Sequence, residues 1–143
     1  MRVTIDANIL VAALIKNGGS RRIVTNTELT LFAPSFLFVE IMKYKREILR
    51  KSKGSEEDFN YLFAILLKNI KIVNEKELIP FVPAAKTLIS DVKDILYFAC
   101  ALYKDTFIWS NDKEFKKQNR VRIFTTEEII KEVGHLQGFI KTF

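Results

Sequence analysis

The sequence predicts an α/β fold of three layers, α/β/α, with a central parallel sheet of about five strands. Two observations carry this. Short runs rich in β-branched or aromatic residues (RVTI, LTLF, IKIV, FIW and VRIF) alternate along the chain with longer segments of helical pattern. One of those segments, Ile95 to Tyr103, is apolar all round, as a helix is when it lies buried against a sheet.

Taken in order, residues 2–6 read as a buried strand with Asp6 at its carboxyl end, and Asn8 to Leu14 as a helix. Asn17-Gly18-Gly19-Ser20 is a break that offers Ser20 as the next helix cap. Leu29 to Phe32 is a second strand ended by Pro34, after which Ser35 caps a helix over 36–51. Ser55 with Asp58 has the spacing of a capping box and opens a helix through Leu67. Ile70 to Val73 is the third strand. Pro80 and Pro83 break the next stretch, with a helix over 83–89 opening at Pro83. Asp91 caps the apolar helix, Phe107 to Trp109 is the fourth strand, and Val121 to Phe124 the fifth. Thr125 caps a last helix whose first turn holds Glu127 and Glu128.

The 143 residues suit a single domain, 1–143, without repeats or linkers. Hydrophobic residues make up 48% and charged ones 28%, and 12 Phe supply bulk for a core without disulfides. The lone Cys100 cannot form an intramolecular disulfide, which suits a reducing compartment. The N-terminus is unlike a signal peptide, and no apolar run approaches the roughly 20 residues of a membrane span. A cytoplasmic protein with no membrane partner is expected. The net charge of +6 is concentrated in two stretches, Lys43 to Lys53 and Lys113 to Arg122. Either is a solvated helix face or a surface for a polyanion.

Four acids lie in apolar or strand-end settings: Asp6, Glu40 within FLFVEIM, Asp94 in the first turn of the apolar helix, and Asp112 after the fourth strand. Each has an ordinary explanation. Asp6 can cap a helix with Asn8, and Glu40 can pair with Lys43 or Tyr44 or simply be exposed. Asp91 and Asp94 can serve as a cap and a dipole-favoured acid, and Asp112 can start a turn. One shared site is more economical than four separate reasons, because ligands of parallel sheets bind beyond the carboxyl ends of the strands. Clustered carboxylates without His or Cys select Mg²⁺ or Mn²⁺, which orients water and neutralises charge developing on a phosphate.

IDANIL (5–10), FLFVEIMKY (36–44), DVKDILYFACAL (91–102) and IWSNDKEF (108–115), in this order, resemble PIN domains over nearly the whole chain. The resemblance implies a parallel sheet of about five strands with an acidic, metal-binding pocket formed by Asp6, Glu40, Asp94 and Asp112. Of these, Asp6, Asp94 and Asp112 are the metal ligands, with Asp91 an additional acid found in some branches. Asn8 and Ser110 match polar positions that hydrogen-bond around the site. The function implied is a divalent-metal-dependent ribonuclease acting on single-stranded or structured RNA. Small stand-alone PIN proteins resemble VapC-type toxins, which implies a small antitoxin partner and a homodimer. Lys43, Arg46 and Arg50, on the helix of Glu40, are the candidates for holding the RNA backbone.

Two other readings stand beside this one. A catalytically inert RNA-binding or protein-interaction module needs no converging acids. An aspartyl-phosphate enzyme with Asp6 as nucleophile would want a second Asp where Asn8 stands. Cys100 and Trp109 read as core, His135 as part of a helix end, and Tyr61, Phe63 and Leu67 as core or dimer surface.

Overall fold

The structure, a computed structural model, describes residues 1–26 and 28–137, with side chains as far as Gly134. Five strands, β1 (Arg2–Ile5), β2 (Thr30–Pro34), β3 (Ile70–Val73), β4 (Phe107–Trp109) and β5 (Ile123–Phe124), form one sheet in the order β3-β2-β1-β4-β5. Every pairing is parallel, with Val3 beside Leu31 and Phe107, Leu31 beside Ile70, and Ile108 beside Ile123. The chain steps outward from β1 to β3 and then returns to the other side of β1. The direction of winding therefore reverses between β1 and β4, the position where open α/β sheets leave a crevice.

Alternation along the strands divides the core. Ile5, Leu31, Trp109 and Phe124 pack against α1 (Ala7–Ile15), α2 (Gly19–Val24), α3 (Phe36–Ser52), α4 (Glu56–Leu67) and α8 (Thr126–Gln137). Phe32, Ile108 and Ile123 face α7 (Val92–Lys104), which is flanked by the short helices α5 (Glu75–Leu78) and α6 (Val82–Lys86). Successive side chains of a strand point to opposite faces, so both faces of this sheet are apolar and covered, giving three layers. Trp109, Phe98 and Cys100 are wholly buried, as their place in the sequence predicts. Phe63 is buried and Leu67 partly so, while Tyr61 is exposed. His135 lies within α8, and its side chain is outside the described residues.

Local signals explain several helix starts. The Ser55 hydroxyl accepts from Asp58 N at 3.1 Å while Asp58 Oδ2 accepts from Ser55 N at 3.1 Å, the reciprocal capping box. Thr125 and Glu128 repeat that exchange at the start of α8, at 2.9 and 3.2 Å. Asp91 caps α7 through Lys93 N at 3.2 Å.

Several expectations need correction. Ser20 lies inside α2, which starts at Gly19 with Gly18 as its cap. Ser35 does not cap α3 through its side chain, because its backbone is already helical (φ −59°, ψ −21°) where a capping residue is extended. Residues 75–81 are ordered as α5 and a 3₁₀ turn, with Asn74 as cap and Pro80 tolerated in the first turn, and α6 ends at Lys86 rather than 89. β5 is shorter than the apolar pattern suggests. The Gln118 side-chain amide binds both the N–H and the C=O of Val121, removing that residue from the ladder.

Candidate acidic active site

Asp6 leaves β1 at the winding reversal and Ser110 leaves β4 beside it, the two strand ends tied by Asp6 N to Trp109 O at 3.0 Å. The Ser110 hydroxyl donates to Asp6 Oδ2 at 2.8 Å and accepts from Asp112 N at 3.1 Å. One buried hydroxyl thus fixes the Asp6 carboxylate and the backbone of Asp112. Asp112 Oδ1 accepts from Glu114 N at 2.9 Å, so the turn-forming role expected of it is real and leaves the carboxylate anchored at the mouth of the crevice.

Glu40 comes from α3 and is only 7% exposed, with its Oε1 accepting from the Tyr97 hydroxyl at 2.6 Å. Neither Lys43 nor Tyr44 is its hydrogen-bond partner, and it is not on the surface. Tyr97 lies one turn beyond Asp94 on α7, so a single helix face presents an acid to the crevice and a hydroxyl to Glu40. Tyr97 is a residue that sequence reasoning missed. Its spacing of three from Asp94 was the available signal, masked by the apolar run around it.

The electrostatics show acids that crowd one another. Burial, more than any other cause, lifts the Asp6 carboxyl from 3.8 to about 6, with Glu40 and Asp112 adding repulsion. Against this act the Ser110 hydrogen bond and the Asn8 amide N–H, which favours the carboxylate without meeting hydrogen-bond geometry. Burial likewise lifts Asp94 from 3.8 to about 7, followed by repulsion from Asp6, Asp91 and Asp112, while Lys93 counters it. The Tyr97 hydroxyl is pushed far up, first by burial and then by Glu40. Lys93 is held above its ordinary value by Tyr44 first and then by Asp91, Asp94 and Glu40, which places this exposed cation at the rim of the acids.

Asp6, Glu40, Asp94 and Asp112 are therefore neighbours at one edge of the sheet, and Asp91 stands at the rim as a helix cap with Lys93 Nζ 4.0 Å away. They are not a closed cage: among the described residues, no three acid, His or Cys side chains converge on one ion. The two findings agree once reach is considered, since repulsion acts over several ångströms while ligation requires about 2.1 Å to Mg²⁺. The donor set consists of carboxylate oxygens, with Asp6 and Asp94 disfavoured as anions by burial and like charge, and it fits a hard divalent cation. Asn8 contributes its backbone, because among the described residues its exposed side chain makes no hydrogen bond. Lys43, Arg46 and Arg50 project from the exposed face of the helix that carries Glu40. Arg50 is 3.9 Å from Glu47, whereas Lys43 and Arg46 have no ion-pair partner among the described residues.

A family model described as PIN domain matches residues 4–134. Among solved structures, the chain is similar to one from the VapBC2 complex of Rickettsia felis bound to a DNA fragment from its promoter. The TM-score is 0.66 at 19% identity, covering 87% of this chain and 98% of that one. No curated protein matches the sequence.

Proposed function

Because the chain belongs to the PIN-domain family, whose members are generally metal-dependent nucleases, we propose that it is a Mg²⁺- or Mn²⁺-dependent endoribonuclease. The observation that carries this reading is the hydroxyl of Ser110 joining Asp6 to Asp112 where β1 and β4 part, with the raised Asp94 beside them. Asp6, Asp94 and Asp112 would hold the ion, and Asp91 at the rim is a further candidate. The bound ion supplies activated water and neutralises charge developing on the scissile phosphate.

The chain's own residues supply the rest. Ser110 donates to one Asp6 oxygen and so leaves the other free to face the crevice. Tyr97 holds Glu40 by one oxygen in the same way, leaving an acceptor for a proton from water on the reacting side. Lys93 at the rim and Lys43, Arg46 and Arg50 along α3 supply positive charge to phosphates flanking the bond to be cut. The inert-module reading leaves three buried acids without a cation partner, an expensive arrangement that serves nothing.

The substrate on this reading is RNA, single-stranded or structured. The likeness to a chain of a VapBC2 complex supports a toxin held by a small antitoxin protein. Phe38, Val39 and Met42, exposed on α3, support pairing with a second copy. No helix among the described residues is long and apolar enough to cross a membrane.

The test is cleavage of a labelled RNA by the purified chain with Mg²⁺, with Mn²⁺ and with EDTA. Asp6→Asn and Asp94→Asn should each lower the metal-dependent rate by about 100-fold or more while the protein stays folded. Parental rates from Asp6→Asn would remove Asp6 from the site.

A further inference from the structure

The end of the sheet opposite the acids carries its own charge pattern. α7 begins beside the acids and ends at Lys104, which places Lys104 near Arg2 at the start of β1. Arg2 donates to the Lys104 carbonyl at 2.7 Å. Three cations surround one ring: Arg2 Cζ lies 4.8 Å, Lys104 Nζ 5.8 Å and Lys71 Nζ 5.9 Å from the centroid of Phe32. Further along the same edge, a cleft of about 330 Å³ is lined by Arg120, Arg122, Asp105 and Thr106.

None of these five cations has an ion-pair partner among the described residues. Of the nearby acids, Glu77 is engaged by the Tyr103 hydroxyl at 3.1 Å, and Asp105 is the one that lines the cleft. Like charges gathered around one ring repel unless an anion joins them. The spacing of the group along an edge fits a chain of anions better than a single small one. Half-buried rings stand beside two of the cations: Tyr103 has Lys104 Nζ at 4.5 Å and the Phe81 centroid at 5.2 Å, and Phe107 has Arg122 Cζ at 5.9 Å. Cations beside partly exposed aromatic rings suit unpaired bases on a phosphate backbone, since duplex bases offer no face to stack on.

We propose that this amino-edge surface is a second binding site for single-stranded nucleic acid, separate from the acidic crevice. It grips the backbone of the RNA strand at a distance from the point of cleavage. The identity of the strand as RNA rests on the nuclease reading; the affinity for a single-stranded backbone does not. A long strand engages both edges, whereas a short one can fill only one.

The experiment measures binding of a fluorescent, unstructured RNA of about 30 nucleotides to the full chain in EDTA at several salt concentrations, so that cleavage plays no part. The variant replaces Lys71, Lys104 and Arg122 with Gln and keeps Arg2, whose hydrogen bond anchors the end of α7. Its slope of log affinity against log salt should flatten by about 0.7 for each phosphate no longer neutralised, about 2 in all, which is roughly 100-fold weaker binding at 0.1 M salt. If the triple variant melts below the parent, the three single replacements are measured instead, each expected to flatten the slope by about 0.7. Unchanged slopes would overturn the proposal, leaving the cations as covers for Phe32. So would weaker binding of duplex DNA with no change for single-stranded RNA. A chain that binds with the expected slopes but cuts no RNA would refute the nuclease reading and leave this surface standing.

Discussion

Asp6→Asn separates electrostatic strain in the crevice from ordinary packing, because its effect on stability changes with pH. The folded chain lifts the Asp6 carboxyl from 3.8 to about 6. A tenfold change in proton affinity is worth about 1.4 kcal/mol, so at pH 8 an ionised Asp6 destabilises the metal-free fold by about 3 kcal/mol. The sign follows from the direction. A group whose folded value is raised stabilises fully below its unfolded value and loses that contribution as pH climbs through the folded one. Parental stability should therefore decline between about pH 4 and pH 7, with Asp94, raised in the same direction, adding to the decline. Asparagine keeps an oxygen for the Ser110 hydroxyl but loses the charge in that bond, a cost of about 1 kcal/mol. The variant should be about 2 kcal/mol more stable than the parent at pH 8 and equal or slightly less stable at pH 4.5. Urea denaturation in EDTA at both pH values measures this, and the difference between the proteins cancels the titrating groups that do not interact with Asp6. Adding Mg²⁺ at about 100 times its dissociation constant should raise parental stability by about 2.7 kcal/mol and the variant's by far less. Equal destabilisation of Asp6→Asn at both pH values would refute the reasoning and make Asp6 a packing residue.

Tyr97→Phe removes the donor at 2.6 Å and leaves Glu40 Oε1 buried without it. It should cost about 1–3 kcal/mol and should lower the cleavage rate more than RNA affinity, as paired denaturation and kinetic measurements would show. Replacing Lys43, Arg46 and Arg50 with Ala should flatten the salt slope of RNA binding by about 0.7 per phosphate for every sequence alike, and identical slopes would leave them a solvated face. Ser55→Ala breaks the capping box of α4 and should cost about 1 kcal/mol, read as a lower urea midpoint, with cleavage unchanged.

The strand periodicity and the acids at strand ends were open to reading because both depend on short stretches of sequence. Asp6 and Asp112 each follow a β-branched or aromatic run, and the parallel sheet carries them to one edge. Capping boxes were equally legible, since their partners are three residues apart. What the sequence hid depends on tertiary partners. Tyr97 meets Glu40 across 57 positions, and the one local hint, its spacing of three from Asp94, is lost in the apolar run around it. Ser35 has the composition of a cap but its backbone is already helical and its hydroxyl makes no capping bond, and Gln118 shortens β5 by capturing Val121. The winding reversal beside β1 could be expected only after the strand order was known.

The bond from Ser110 to Asp6 spans 104 positions of the chain. A nascent polypeptide that has emerged only as far as α7 holds Asp6, Glu40 and Asp94 but has neither β4 nor the hydroxyl that fixes the first of them. Closing a loop of that length is entropically costly, so the crevice depends on a long-range step and not on local folding alone. For a protein proposed to cut RNA, the consequence is that a growing chain short of β4 carries its acids without the bond that fixes Asp6.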